Sequence, residues 1–209
     1  MDNREIEKKI WFVSDTHFGH SKEFLWAPRG FNSSFEHDAA IIKNWNEVVG
    51  PDDDVYHLGD VMLEDNEYGL KCLKQLKGHI HIIIGNHDTD TRIELYKQCH
   101  NVVEITYSKL LKINKQLLWL CHYPTITANY DDNKPWAKHL INIYGHTHQQ
   151  SKFFSLGNSA VAAEFGVLQH DKKNPYMYCV CLDAHNNKPV ELQEIIDDIR
   201  SMKIQLDNQ

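Results

Sequence analysis

Five short apolar runs, at residues 10–13, 55–58, 80–84, 117–120 and 140–144, constrain this chain more than any other feature. Each is four or five residues long, the length and composition of a buried strand. Each is followed by side chains with metal-ligand chemistry: Asp15 with His17, Asp60, Asn86 with His87, His122, and His146 with His148. Open sheets bind ligands in the crevice beyond the carboxyl ends of their strands. Five such ends therefore predict one polar centre, built from carboxylate, imidazole and amide groups brought together from distant parts of the chain.

Three of the motifs are introduced by glycine: Gly59-Asp60, Gly85-Asn86-His87-Asp88 and Gly145-His146-Thr147-His148. Glycine reaches backbone angles closed to other residues, so each is expected to turn the chain sharply and aim the next side chain inward. Any one motif alone would read as an ordinary hydrogen-bonded turn; the series of five carries the inference. Of the other histidines, His57 reads as a core residue inside a strand. His79 and His81 share one strand face, and His37, His100, His139, His170 and His185 read as surface residues.

The series Asp15-Thr16-His17, Gly59-Asp60, Gly85-Asn86-His87-Asp88, His122 and Gly145-His146-Thr147-His148 resembles the calcineurin-like metallophosphoesterase superfamily over residues 9–148. Asp15-Thr16-His17-Phe18-Gly19-His20 and Cys121-His122-Tyr123-Pro124 are similar to the small bacterial and phage phosphoesterases. The resemblance implies two divalent ions, one held by Asp15, His17, Asp60 and His148 and the other by Asp60, Asn86, His122 and His146, with Asp60 shared. This donor set suits manganese first, with iron, zinc or nickel as alternatives, and lacks the thiolate cage of structural zinc. A water between the ions would attack phosphorus in line, so no protein nucleophile is needed.

The same resemblance implies that His87 faces the substrate and protonates the leaving group, with Asp88 orienting it. His20, three residues past His17, is a further catalytic candidate within reach of the leaving group or a phosphate. Arg29, one of four arginines, lies in the first crossover loop, and a guanidinium suits a phosphate dianion. Tyr130, in the polar loop that follows His122, could stack on a base as part of a substrate pocket.

With 209 residues and 42% hydrophobic content, the chain is expected to form a single domain, residues 1–209, around one well-buried core. The formal charge of −7 argues against general affinity for long duplex nucleic acid. No stretch approaches the roughly 20 apolar residues of a membrane span, and the first residues lack a signal peptide's apolar core, so a cytoplasmic location without membrane association is expected. Five cysteines without paired spacing fit reduced thiols. Nothing in the sequence fixes the oligomeric state.

Ser33 and Glu36 form a capping box for a helix over 35–49, stopped by Gly50-Pro51. Further helices are expected over 67–76, from Asp90 to about Cys99, and over 191–205. Residues 107–113 and 116–121 read as a hairpin turning at Asn114-Lys115, and 177–182 reads as a late strand. Strands joined first through helices and later by hairpins suit the family's α/β (α+β) architecture: two stacked mixed β-sheets flanked by helices in a four-layer sandwich. Residues 149–174 carry no clear pattern.

The substrate class is narrowed by exclusion. Gly59-Asp60-Val61-Met62 and Gly85-Asn86-His87-Asp88 depart from the motifs of the superfamily's serine/threonine phosphatases, and its double-strand-break nucleases carry additional domains. The expected activity is hydrolysis of a small phosphodiester or phosphomonoester, nucleotides included, with the diester slightly favoured. The alternatives are a nuclease, a protein phosphatase, or a non-enzymatic binding scaffold on the same fold.

Overall fold

The computed structural model describes residues 8–113, 115–125, 127, 139–154 and 174–207. Strands β1 (Ile10–Val13), β2 (Asp54–His57), β3 (His79–Ile83) and β4 (Val102–Thr106) run parallel. Strands β5 (Ser108–Ile113), β6 (Gln116–Cys121), β7 (Leu140–Tyr144), β8 (Phe153–Phe154) and β9 (Asn174–Cys179) form a second sheet in the order β5-β6-β7-β9-β8. In it β6, β7 and β9 are parallel to one another, while β5 and β8 run antiparallel to their neighbours. Strand β10 (Val190–Glu191) returns to pair antiparallel with β1, completing a first sheet of order β10-β1-β2-β3-β4.

The helices are α1 (Glu23–Trp26), α2 (Ser34–Val48), α3 (Asn66–Leu73), α4 (Asp90–Tyr96) and α5 (Leu192–Asp207). Alternation along β1 shows how the layers separate, since side chains in a strand point to opposite faces. Trp11 and Val13 pack with Ile80 and Ile82 of β3 against Ile41 and Trp45 of α2, Leu73 of α3 and Tyr96 of α4. Phe12 faces the other way, joining Tyr56, Leu58 and Ile83 to meet Leu118, Leu120, Ile141, Ile143 and Tyr178 of the second sheet. Ile195 and Ile199 of α5 close this inter-sheet core, and α5 contacts β9, β10 and β1. These are the two stacked mixed sheets flanked by helices that the sequence predicts.

Local signals explain several element ends. Ser33 Oγ accepts the Glu36 backbone N–H at 3.2 Å at the start of α2, and Asp65 Oδ1 does the same for Tyr68 at 2.9 Å at the start of α3. Helix α3 stops at Leu73, three residues short of the expected end, where the chain tightens into i→i+3 bonds from Gln75 and Leu76 to the carbonyls of Cys72 and Leu73, and the Asn101 amide donates to the carbonyls of Leu73 and Leu76. Lys115, at φ 70°, makes the left-handed turn of the β5–β6 hairpin. Register aligns Val13 with His57 and His57 with Ile82, so the carboxyl ends of β1, β2 and β3 finish level with one another.

Three of the expected surface histidines are buried. His37 is fully enclosed, His139 stacks on Tyr176 with ring centroids 4.5 Å apart, and His185 donates to the Cys179 carbonyl at 2.9 Å. An imidazole can satisfy both ring nitrogens indoors, which sequence position alone does not reveal. His100 is exposed, His57 is a core residue as expected, and His170 lies outside the described residues. No helix is long and apolar enough to cross a membrane among the described residues.

Candidate metal centre

The chain leaves β1 by bridging the sheets, with the Ser14 N–H donating to the Val180 carbonyl at 3.0 Å. It then enters a run of unusual backbone: Asp15 has φ 60° and His17 φ 46°. The same left-handed region holds Asp60 at 57°, His146 at 70° and His148 at 47°. Five of the seven expected ligands therefore sit in a conformation that is uncommon outside glycine and clusters at functional sites. Backbone bonds stitch the motifs together: Asp15 N–H to the Gly59 carbonyl and His17 N–H to the Asp60 carbonyl, each 3.0 Å.

The introducing glycines divide the work differently from the sequence expectation. Gly59 alone of the three takes a positive φ, at 91°. Gly85 and Gly145 are needed for space instead. A Cβ on Gly85 would lie 2.3 Å from Asp60 Oδ1, and one on Gly145 would lie 2.6 Å from Asp15 Oδ2.

Two groups of donors face each other: Asp15, His17 and His148, and Asp60, His122 and His146. In the first, Nε2 of His17 and Nε2 of His148 approach to 3.2 Å, and Asp15 Oδ1 lies 3.7 and 3.6 Å from them. That oxygen is buried and accepts no hydrogen bond from any described group. In the second, Asn86 Oδ1 sits 2.9 Å from His122 Nε2 and 2.8 Å from His146 Nδ1. The His122 Nδ1–H donates to the Leu58 carbonyl at 2.7 Å, which turns the lone pair of Nε2 into the site. Asp60 Oδ2 lies 3.5 Å from His122 Nε2 and 3.8 Å from His17 Nε2, one carboxylate reaching both groups. Buried oxygen and nitrogen lone pairs pointing at common centres are what divalent ions require, so the residues present fit two ions.

Protonation states divide the ligands of the metal-free protein: Asp15 and His17 are poised to bind, whereas Asp60 is shifted towards holding its proton and so is His148, which against its burial is raised by Asp183 and Asp15. Burial lowers His17 to about 4 although Asp15 opposes the shift, leaving a neutral imidazole at neutral pH. Burial works against ionisation of Asp15, yet His17, His148 and His122 together hold its carboxyl well below the ordinary range. Asp60 is raised, by burial first and by the charge of Asp15, against the pull of His122.

The expected substrate-facing residues fare unevenly. His87 is half exposed at the crevice, its ring centroid 5.6 Å from that of His17 and its Nε2 4.0 Å from Asp60 Oδ2. Asp88 does not orient it. The Asp88 carboxylate instead accepts the backbone N–H groups of Asp60, Val61 and Gly85 and the Tyr96 hydroxyl, fixing the loops that carry the ligands. His20 is buried, with Nδ1 3.5 Å from Glu64 and its ring 6.0 Å from that of His17.

Arg29 is corrected from substrate binder to internal strut. Its guanidinium donates to both oxygens of Asp183, at 3.1 and 2.8 Å, to the Asp15 carbonyl at 2.8 Å and to His37 Nε2 at 2.9 Å. With its side chain 1% exposed, it has no face left for a phosphate. Tyr130 lies outside the described residues. Asp183, which contacts His148, escaped the sequence reading although it follows a late apolar run, Val180-Cys181-Leu182, by the same strand-end rule that found the others.

The calcineurin-like phosphoesterase superfamily domain matches residues 9–187. An uncharacterised protein of Methanocaldococcus jannaschii is 30% identical over 201 residues, covering 94% of each chain. The gene 66 protein of Mycobacterium phage L5 is 37% identical over 161 residues, 66% of this chain and 76% of that protein. The crystal structure of a protein of unknown function from Aquifex aeolicus superimposes with a TM-score of 0.61 at 22% identity, over 91% of this chain and 98% of that one, a likeness of fold.

Proposed function

Because the chain belongs to the calcineurin-like phosphoesterase superfamily, we propose that it is a dinuclear-metal-dependent phosphoric ester hydrolase acting on a small phosphodiester or phosphomonoester, nucleotides among them. The observation that carries this reading is Asp60, whose one carboxylate lies within 4 Å of imidazoles from both donor groups. Asp15, His17, Asp60 and His148 would hold one ion, and Asp60, Asn86, His122 and His146 the other; manganese suits this set of oxygen and imidazole donors. When bound, such a pair supplies Lewis acidity to phosphoryl oxygens and acidifies water towards neutral pH.

The chain's own residues do the rest. Neutral His17 and ionised Asp15 are ready to bind without first exchanging protons. His87, half exposed beside Asp60, is placed to hand a proton to the departing oxygen or to hydrogen-bond a phosphoryl oxygen. His20 borders the same crevice, tethered by Glu64. With Arg29 committed to Asp183, Asp15 and His37, the substrate's charge is left to the ions, to His87 and His20, and to Arg92, whose Nη1 donates to the His87 carbonyl. The departures of Gly59-Asp60-Val61-Met62 and Gly85-Asn86-His87-Asp88 from the motifs of the serine/threonine phosphatases favour a small substrate over a phosphoprotein.

The test is hydrolysis of bis-p-nitrophenyl phosphate and of p-nitrophenyl phosphate by manganese-loaded protein. Turnover of at least one, lost in Asp60→Asn, is expected. Inactivity on both with two ions bound would overturn the proposal.

A further inference from the structure

We infer that Asp183 and Arg29 form a buried clamp that fixes His148 in the one tautomer able to bind a metal, making both positioning residues for the ion at Asp15, His17 and His148. The inference rests on the two-ion reading and goes beyond it, because neither residue is a ligand.

The argument is a count of protons. His148 Nδ1 has an acceptor within reach, Asp183 Oδ2 at 3.2 Å, and also a donor, Arg29 Nη2 at 3.3 Å. The two would select opposite tautomers. If Arg29 donated to Nδ1, the neutral ring would carry its hydrogen on Nε2, pointing at His17 and blocking the metal. Nη2 has two hydrogens, however, and both have shorter partners: the Asp15 carbonyl and Asp183 Oδ2, each at 2.8 Å. None is left for His148. Its Nδ1 therefore donates to Asp183, and Nε2 presents a lone pair beside that of His17, 3.2 Å away.

The clamp is itself held. Arg29 Nη1 donates to His37 Nε2 at 2.9 Å, the His37 Nδ1–H donates to Asp38 at 2.7 Å, and the other Asp38 oxygen takes the Gly19 N–H at 2.9 Å. One connected path thus joins the loop after β1, the start of α2 and the turn after β9 to a single imidazole. His148 needs it more than His122 does. Its side chain is 36% exposed, whereas that of His122 is fully buried and is fixed by a backbone carbonyl. Outer partners of this type commonly change metal affinity by about 10- to 100-fold.

The experiment titrates metal-free protein with Mn2+ by calorimetry and follows the same samples by electron paramagnetic resonance. Wild type should bind two ions and show a spin-coupled pair. Asp183→Asn should weaken one site about tenfold and Asp183→Ala about 100-fold, replacing the coupled spectrum by that of an isolated ion. Arg29→Lys, which cannot make the fork, should do the same. Asp53→Asn is the control for plain destabilisation. It loses a carboxylate that accepts from Trp11, Lys9 and Gly50 at the far end of β2, so it should lower the melting temperature and leave both affinities alone. Two unchanged sites in a folded Asp183→Asn protein would overturn the clamp. Failure of wild type to bind a second ion would overturn the two-ion reading instead.

Discussion

Asp88→Asn should report on the stability of the fold before it reports anything about proton transfer. Each carboxylate oxygen of Asp88 receives two donors: Oδ2 takes the N–H groups of Asp60 and Gly85, both at 2.8 Å, and Oδ1 takes Val61 N–H at 3.1 Å and Tyr96 O–H at 2.6 Å. An asparagine offers one oxygen. Whichever way the amide turns, its NH2 faces two donors and both bonds on that side are lost. Hydrogen bonds to a charged group contribute about 1.5–3 kcal/mol each, so two lost bonds place the expected destabilisation at about 4 kcal/mol. For a chain of this size that is a fall in Tm of roughly 8–16 °C. Urea denaturation of metal-free protein, read by tryptophan fluorescence and far-UV circular dichroism, measures it directly. Tyr96→Phe removes a single donor and should lower stability by only about 1.5–3 kcal/mol. A variant within 1 kcal/mol of wild type that had nevertheless lost turnover would refute the reasoning and return Asp88 to service as a partner of His87.

Gly85→Ala must push its new methyl against Asp60 Oδ1, 2.3 Å away, and His122 Cε1, 2.9 Å away; displacement of that order is expected to reduce kcat/KM about 100-fold, measured on the chromogenic diester, and full activity would contradict the packing described. Metal-free protein should lose stability as pH falls from 6.5 to about 4, because buried His57 has its pKa lowered to about 4 by burial while the unfolded chain accepts a proton from 6.5 downward. The difference amounts to about 3 kcal/mol, and His57→Gln should remove about that much of the stability change over the window in urea melts at successive pH values, leaving the parallel contribution of His17. Trp45→Ala, at a fully buried side chain whose Nε1 donates to the Lys77 carbonyl, should cost about 3–5 kcal/mol in the same assay.

The strands that carry the centre were legible because each is a short apolar run with a polar side chain at its end, and both facts are local. So was the start of α2, where Ser33 and Glu36 stand three apart. What the sequence hid was long-range pairing. Arg29 in an exposed-looking loop and Asp183 past the last core strand are 154 residues apart, and nothing near either announces the other. Asp88 was placed beside its chain neighbour His87, but a carboxylate goes where donors are most numerous, and here those are three backbone N–H groups. Strand β4 passed unnoticed because Val102–Thr106 is half exposed at a sheet edge and lacks a continuous apolar run. The histidines His37, His139 and His185 failed for the same reason as Arg29: polarity predicts solvent only until a partner is found indoors.

The left-handed backbone at Asp15, His17, Asp60, His146 and His148 implies an inverse relation between toughness and work. Glycine at any of these five places would relieve the local tension, of order 1–2 kcal/mol apiece, while deleting a donor. Chains of this design can thus become sturdier by becoming inert. A descendant freed from its chemical task has a downhill route towards a silent shell, and it would announce itself by glycines standing where the donors once were.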